Sequence, residues 1–365
     1  MHCTDRSLGK DLLTLAEVPN LPDEQMKLFS PENVFQQEME EFNPDKAIKL
    51  IEENEGAELL TVDMGGDKVT RIFWKVINGQ LVADTDSIER VKKIDKGANY
   101  TAFFEKAAKE AEERHMNVAI SFAGPLSGTS PQGIPNATDF KKDLDNKYGG
   151  DFANLFPSLK AVNNDAQAGI KTAAVEARRC GKMKENGSLE FVIDGGGFGL
   201  AFIKNNKIIA TEVGHTRLAD ELNWHKQDTP CGLLGRDYVC IERVAASGAG
   251  VESIYKKLTG ESLTGIEISD RYQEGDELAK KLYENSAILL ACGIVGVANL
   301  NGLMKEAGDT VVAYHGGGFR VPGLMNRVSQ IIDKAKGEQP ILCGNDMSVN
   351  ACAQGVAIAA FYKND

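Results

Sequence analysis

The sequence has no pairable set of cysteines. Its seven (Cys3, Cys180, Cys231, Cys240, Cys292, Cys343, Cys352) are odd in number and scattered along the chain. A disulfide framework is therefore excluded, and a reducing cytoplasm is the expected compartment. No run approaches the roughly 20 apolar residues that span a bilayer. The opening residues, MHCTDRSLGKDLLTL, lack a basic start followed by an apolar core. Neither a membrane segment nor a signal peptide is expected. Basic charge is scarce too: 41 Lys and Arg stand against 53 Asp and Glu, a net charge of −12. Nucleic acid and anionic membranes both demand a cationic face, so neither is expected as a partner. What the chain has in excess is glycine, 37 of 365 residues, and several stand as GG or GGG rather than spread along a flexible linker.

The length predicts about two domains. Residues 1–60 carry fourteen Asp and Glu against five Lys and Arg, so most of the net charge sits in the first sixth of the chain. KAIKLIEEN (46–54) has helical spacing, and the plain reading of this region is a solvated acidic appendage packed on the main body. From residue 57 strands and helices alternate. AELLTVDMGG is a strand running into a glycine turn. VTRIFWKVING and QLVADTDSI follow as two strands joined at Asn78-Gly79. Tyr100 to Arg114 reads as a helix, NVAISFAGPL as a buried strand, and LKAVNNDAQAG as a strand opening a helix that runs to about Arg179. LEFVIDGGGFGLAFIKNNKIIATEVG then repeats the strand–glycine turn–strand–turn–strand unit, with its turn at Asn205-Asn206. A long helix over about 276–305, the strand TVVAYHGGG, a helix from about Pro322, the strand PILCG and a last helix from about Ser348 complete the chain. The repeated unit predicts two similar α/β domains facing each other across a cleft. The expected division is an extension over 1–56, a first domain of 57–165 plus 348–365, and a second domain of 166–347.

Five patterns carry chemistry. Asp63-Met64-Gly65-Gly66-Asp67-Lys68 places glycines at a strand end, where bare backbone N–H groups can approach a phosphate. Asp63 there can hold Mg²⁺ directly or through water. Asp194-Gly195-Gly196-Gly197-Phe198-Gly199 has the same logic in the second unit, and two such turns would clamp a polyphosphate. Asn163-Asn164-Asp165 ends a strand and opens a helix. Asp165 there is either a general base for a hydroxyl or merely the helix cap, and position alone leaves both open. Glu212-Val213-Gly214-His215 ends the second unit's third strand, and Cys240-Ile241-Glu242 adds another polar site.

DMGGDK, NNDAQAG, DGGGFG, EVGH and CIERVAASG stand in the order and at roughly the spacing of a known family. Over about residues 57–362 the chain resembles the ROK family of repressors, open reading frames and sugar kinases, within the hexokinase and actin-like ATPase superfamily. The EVGH pair with C-x-E-x-x-x-x-S-G (Cys240, Glu242, Ser247, Gly248) is the most specific part. The resemblance implies two actin-like (ribonuclease H-like) α/β domains and an ATP-dependent kinase acting on a hexose hydroxyl, glucose by default. It implies ATP and Mg²⁺ as cofactors, sugar and nucleotide as ligands, and a homodimer. Asp63, Gly65, Gly66 and Lys68 match the first phosphate loop, with Asp63 near the metal. Gly195, Gly196 and Gly197 match the second, and Gly316, Gly317 and Gly318 the glycines beside the nucleotide. Asp165 matches the catalytic base and Asn164 its sugar-binding neighbour. Glu212, His215 and Glu242 match residues that grip sugar hydroxyls, and Gly124-Pro125 and Asn136 segments lining the sugar pocket.

The chain departs from that pattern in two ways. The family's threonines in the two phosphate loops are Asp67 and Gly196 here. Two hydroxyl donors to phosphate are absent, and one is replaced by a carboxylate that repels phosphate unless a metal intervenes. This keeps two alternatives open: a sugar-binding regulator without turnover, and a kinase using another donor such as polyphosphate. The family's zinc site also loses its middle cysteine. His215, Cys231 and Cys240 remain, with His225 as candidate fourth ligand, and zinc is expected below one ion per chain because a closed site needs four ligands.

Overall fold

The computed structural model describes residues 25–37, 39–65, 68–92, 99–132, 138–219, 231, 238–244, 246–303, 308, 310–344 and 347–362. The strands in chain order are β1 (Glu40–Glu41), β2 (Glu58–Met64), β3 (Lys68–Ile77), β4 (Gln80–Ala83), β5 (Glu89–Lys92), β6 (Asn117–Phe122), β7 (Leu126–Ser127), β8 (Ser130–Pro131), β9 (Leu159–Asn164), β10 (Ser188–Asp194), β11 (Phe198–Lys204), β12 (Lys207–Thr211), β13 (Thr310–His315) and β14 (Ile341–Leu342). One sheet runs β4-β3-β2-β6-β9, with β5 also paired to β3; another runs β1-β12-β11-β10-β13-β14; β7 and β8 form a small hairpin. The two hairpin turns expected from sequence are present. Asn78 (φ 52°) and Gly79 (φ 69°) close one, Asn205 (φ 52°) and Asn206 (φ 58°) the other. Positive φ at both turn residues matches the right-handed twist of the flanking strands.

QLVADTDSI is not one strand. β4 stops at Ala83, and the Asp84 side chain accepts from Asp86 N to cap a short 3₁₀ turn over Thr85–Ser87. A local side-chain acceptor there replaces the ladder. The chain then returns as β5, antiparallel on β3.

The chain divides into two compact units. One holds the described residues up to Gln36, with Glu190–Leu200 and Thr211–Cys343; the other holds Gln37–Leu189, Ala201–Ala210 and the described residues from Gly344. In the second of these, alternate residues of the central strands face opposite ways. Leu60, Val62, Met64, Val118, Ile120, Phe122 and Val162 enter an apolar core with Phe103, Phe104, Phe140 and Phe152. The Phe104 and Phe140 rings stack at 4.5 Å. Asp63, Ser121 and Asn163 therefore lie on the other face, which the Asp165–Arg179 and Ala351–Tyr362 helices cover. Those two helices meet closely at Gly355, and the Thr172 hydroxyl donates to Ala351 O at 2.7 Å. Residues 39–54 are built into this unit rather than appended to it. Glu40 and Glu41 pair with Ile208 and Lys207. The Pro44–Glu53 helix is capped by Asn43 and buries Pro44, Ala47 and Ile51.

In the other unit the Glu277–Asn301 helix is long and apolar enough to cross a membrane by length and composition. That stretch is 89% buried inside the protein, so it is a core helix. Gly293 and Gly296 admit the rings of Phe198 and Phe29, which a Cβ at either position would strike.

Candidate active site

Three parallel strands bring their carboxyl ends into one row. Asp63 pairs with Ser121 and Met64 with Phe122, and Ser121 pairs with Asn163 and Phe122 with Asn164. Crevices at such strand ends are where open α/β sheets take ligands. The three turns that leave the row are tied together. Ala123 N donates to Met64 O at 2.8 Å, and Asn164 Nδ2 donates to Gly124 O at 3.2 Å. Gly124 has φ 145°, a conformation that favours glycine. The first glycine turn is closed by Gly65 N on Lys68 O at 2.9 Å. Gly66, Asp67 and Asn136 lie outside the described residues, as does His225.

Asn164, not Asp165, caps the following helix. Its Oδ1 accepts from Ala166 N at 3.0 Å and from Gln167 N at 3.3 Å. Asp165 is the first helical residue, half-buried, with Oδ1 on Ala166 N at 2.8 Å. Burial pushes the half-buried Asp63 carboxyl up, while the Ser121 hydroxyl beside it and the charges of Lys68 and Arg90 pull it down; the net is a raised pKa. The buried Cys352 thiol is pushed well up, first by burial and then by the charges of Asp63 and Asp165, so both carboxylates act on this residue of the last helix.

The other unit gathers the second set of motif residues. Gly195 N donates to Gly197 O at 3.0 Å, and Gly248 N donates to Gly195 O at 2.9 Å. Glu242 Oε2 accepts from Phe198 N at 2.9 Å. A Cβ at either Gly197 or Gly214 would stand 2.9 Å from that oxygen. Glu242 is thus wedged between the glycine turn and EVGH, a job its sequence position did not reveal. Ser247 caps the next helix, accepting from Gly250 N at 3.1 Å. A Cβ at Gly195, Gly196 or Gly317 would meet nothing within 4 Å, so there is room for the side chain that Gly196 lacks.

The glycines that follow β13 close on Asp194, the last residue of β10. A Cβ on Gly316 would lie 2.1 Å from Asp194 O, and one on Gly318 would lie 2.0 Å from Asp194 Oδ2. Asp194 is buried, and its Oδ1 has no hydrogen-bond partner among the described residues. Burial pushes its carboxyl from 3.8 up to about 8. Four residues earlier, Glu190 is fully buried with neither oxygen partnered among the described residues, and burial drives it well up too. The folded state therefore keeps protons that the unfolded chain releases near pH 4. The sign follows: the contribution of these two groups to stability is fully present below about pH 4 and is lost as pH rises towards 8. Asp194→Asn, neutral throughout, is expected to reduce that decline, with Glu190 supplying the remainder. Thermal midpoints from about pH 5 to 8 check this; an unchanged slope refutes it. Asp194 is legible in sequence as the acid that opens the second glycine turn, whereas nothing in sequence marks Glu190.

His215 closes a 3₁₀ turn after Glu212. Its Nδ1 stands 3.3 Å from Cys231 Sγ and 3.7 Å from Cys240 Sγ, and one donor atom from each of the three buried residues lies within 4.8 Å of the others. Burial pulls the imidazole down, but the Cys231 contact and the charges of Glu242, Cys231 and Glu212 outweigh it, leaving His215 raised. A hydrogen bond with Cys231, then burial, drives the Cys240 thiol far up. The half-buried Glu212 donates its backbone N–H to Phe35 O at 2.9 Å.

Strand-end turns of this kind, on two α/β units, define the actin-like ATPase class of fold. The ROK family profile matches residues 59–335, and the chain belongs to the ROK family. Among solved structures it is similar to a ROK family glucokinase from Streptomyces griseus in complex with glucose and AMPPNP, with TM-score 0.56 and 20% identity over 82% of this chain and 98% of that one. It is also similar to a hexokinase from Schistosoma mansoni complexed with glucose, with TM-score 0.61 and 15% identity over 98% of this chain and 97% of that one. A curated relative, the N-acetyl-D-glucosamine kinase of Vibrio atlanticus (strain LGP32), is 31% identical over 122 residues; the match spans 30% of this chain and only 39% of the relative.

Proposed function

We propose that the protein is an ATP-dependent sugar kinase in which Asp165 takes the proton from the attacking hydroxyl. The observation that carries this reading is the division of labour at the helix start: Asn164 does the capping on Ala166 N and Gln167 N, and Asp165 shares the Ala166 N–H that Asn164 already holds. A carboxylate in the first helical turn stays ionised readily beside the helix N-terminus, as a base must. Asn164, Glu212, His215 and Glu242 are assigned to the sugar, with Asn136 at the pocket wall. His215 presents Nδ1 to the two thiols, which leaves Nε2 for a sugar hydroxyl. Gly65, Gly66 and Lys68 with Gly195, Gly196 and Gly197 are assigned to the phosphates, and Gly316, Gly317 and Gly318 to the rest of the nucleotide. Asp63 would hold Mg²⁺, which neutralises charge on the transferred phosphoryl group when bound.

Glucose is the default substrate, and the Vibrio atlanticus relative makes N-acetylglucosamine its first competitor. An ADP-release assay with Mg²⁺-ATP over glucose, mannose, fructose, N-acetylglucosamine and N-acetylmannosamine tests the reading. Turnover is expected on at least one aldohexose. Turnover only with polyphosphate would replace the donor. None at all would favour a sugar-binding regulator, the reading that the missing hydroxyl at Gly196 supports. His215, Cys231 and Cys240 fit one face of a tetrahedral zinc site, where the ion would fasten the loop rather than do chemistry. Three donors leave a position open, so elemental analysis of purified protein is expected to find zinc below one ion per chain. A full equivalent would make His225 the fourth ligand.

A further inference from the structure

We propose that the acidic segment 39–54 is a strap that holds the Asp165 helix in place, with Glu40 as the positioning residue for Asp165. The proposal rests on the reading of Asp165 as the base. Lys171, two turns into that helix, is fully buried. Its ammonium donates to Glu40 Oε2 at 2.6 Å and to Asn163 Oδ1 at 2.8 Å. Asn163 Nδ2 in turn reaches Glu40 Oε2 and Gln167 Oε1, both at 3.3 Å. The buried cation thus reaches back along the helix to Asn163, two residues before Asp165. An ammonium shut away from water needs a carboxylate, and among the described residues that carboxylate comes from the strap.

The strap is anchored twice more. Arg178 Nε and Nη2 fork onto Asp45 Oδ1 and Oδ2, both at 2.9 Å. Arg178 is seven residues after Lys171, two turns further along the same stripe. Asn43 N donates to the Tyr362 hydroxyl at 3.1 Å, and Phe42 packs on the Tyr362 ring at 5.2 Å. The anchors therefore grip both helices that cover the Asp63–Ser121–Asn163 face. The family profile begins at residue 59, so the strap lies outside the matched residues. Without Glu40 the Lys171 ammonium loses the carboxylate it faces among the described residues, and Asn163, the strand residue before the capping Asn164, loses a partner.

The test compares Glu40→Gln with Asp45→Asn, which cuts the outer anchor only. Two readouts are taken: sugar-dependent ATP turnover, and hydrogen exchange of amides 163–167. Glu40→Gln is expected to lower kcat at least about tenfold with sugar KM within about threefold, and to speed exchange at 163–167. Asp45→Asn is expected to do neither. Glu40→Gln combined with Lys171→Met, which removes both charges, is expected to recover most of the turnover. This double variant also keeps the test alive if Glu40→Gln alone fails to fold. Wild-type exchange and turnover in Glu40→Gln, or equal effects in the two single variants, would overturn the proposal. If the wild-type chain turns over no sugar, the base reading fails. Exchange then decides the strap by itself: faster at 163–167 in Glu40→Gln alone supports it, and no difference between the variants overturns it.

Discussion

Asp165→Asn is expected to lower sugar-dependent ATP turnover by roughly 10²- to 10⁴-fold, the usual range for loss of a general base. Its thermal midpoint should hardly move. The cap belongs to Asn164 and an amide oxygen can still accept from Ala166 N, so the substitution removes a first-turn charge worth about 0.3–1 kcal/mol against the helix dipole. Sugar binding should weaken less than turnover, because an amide still bonds a hydroxyl. Turnover, sugar affinity and thermal midpoint measured on one preparation separate the outcomes. Unchanged turnover would take Asp165 out of the mechanism. A large fall in midpoint alongside lost turnover would mean that the residue is structural.

Gly355→Ala is expected to destabilise the protein although it replaces the poorer helix former with the better one. Propensity alone favours alanine by about 0.8–1.0 kcal/mol. Packing decides the other way. A Cβ at Gly355 would lie 1.7 Å from Ala168 O and 3.2 Å from Thr172 Oγ1, and the obstacle is backbone, which cannot rotate aside. The last helix must move off the Asp165 helix, and overpacking of this kind costs about 1–3 kcal/mol or more. The net expectation is a loss of about 1 kcal/mol or more and a midpoint lower by roughly 3 °C. Turnover should fall too, because Ala168 stands in the first turn of the Asp165 helix. A midpoint that rises would show that the helices part without penalty.

Turns and strand ends were readable in sequence because their requirements are local. Asn78-Gly79 and Asn205-Asn206 carry the positive φ their hairpins need, and β2, β9 and β10 end where the glycines and the NND run said they would. Helices with one strong apolar stripe or caps, such as Tyr100–Glu113 behind Asn99, were legible for the same reason. Pairings across long separations were not. Glu40 and Lys171 are 131 residues apart, and nothing near either residue announces the other. The two-residue β1 is too short for a period-two pattern. Asn164 and Asp165 are both good caps, so only the observed bonds separate them. Glu242 reads in sequence as a polar helix residue, and its place against Phe198 N depends on two glycines elsewhere in the chain. A strand acid such as Glu190 carries no sign that neither oxygen will find a partner among the described residues.

Shared sequence and folding unit have different edges in this protein. A cut at residue 59, where the family likeness starts, would keep every described motif residue yet strip away Phe42, Ala47 and Ile51, each at most 1% exposed. It would also leave Lys171 without the carboxylate it faces. A recombination breakpoint there would therefore deliver an intact set of signature residues on an unfinished scaffold. The folding module of this chain is longer than the matched span outlines, and a chimera that carries its Asp165 helix should fold only when residues 39–54 travel with that helix.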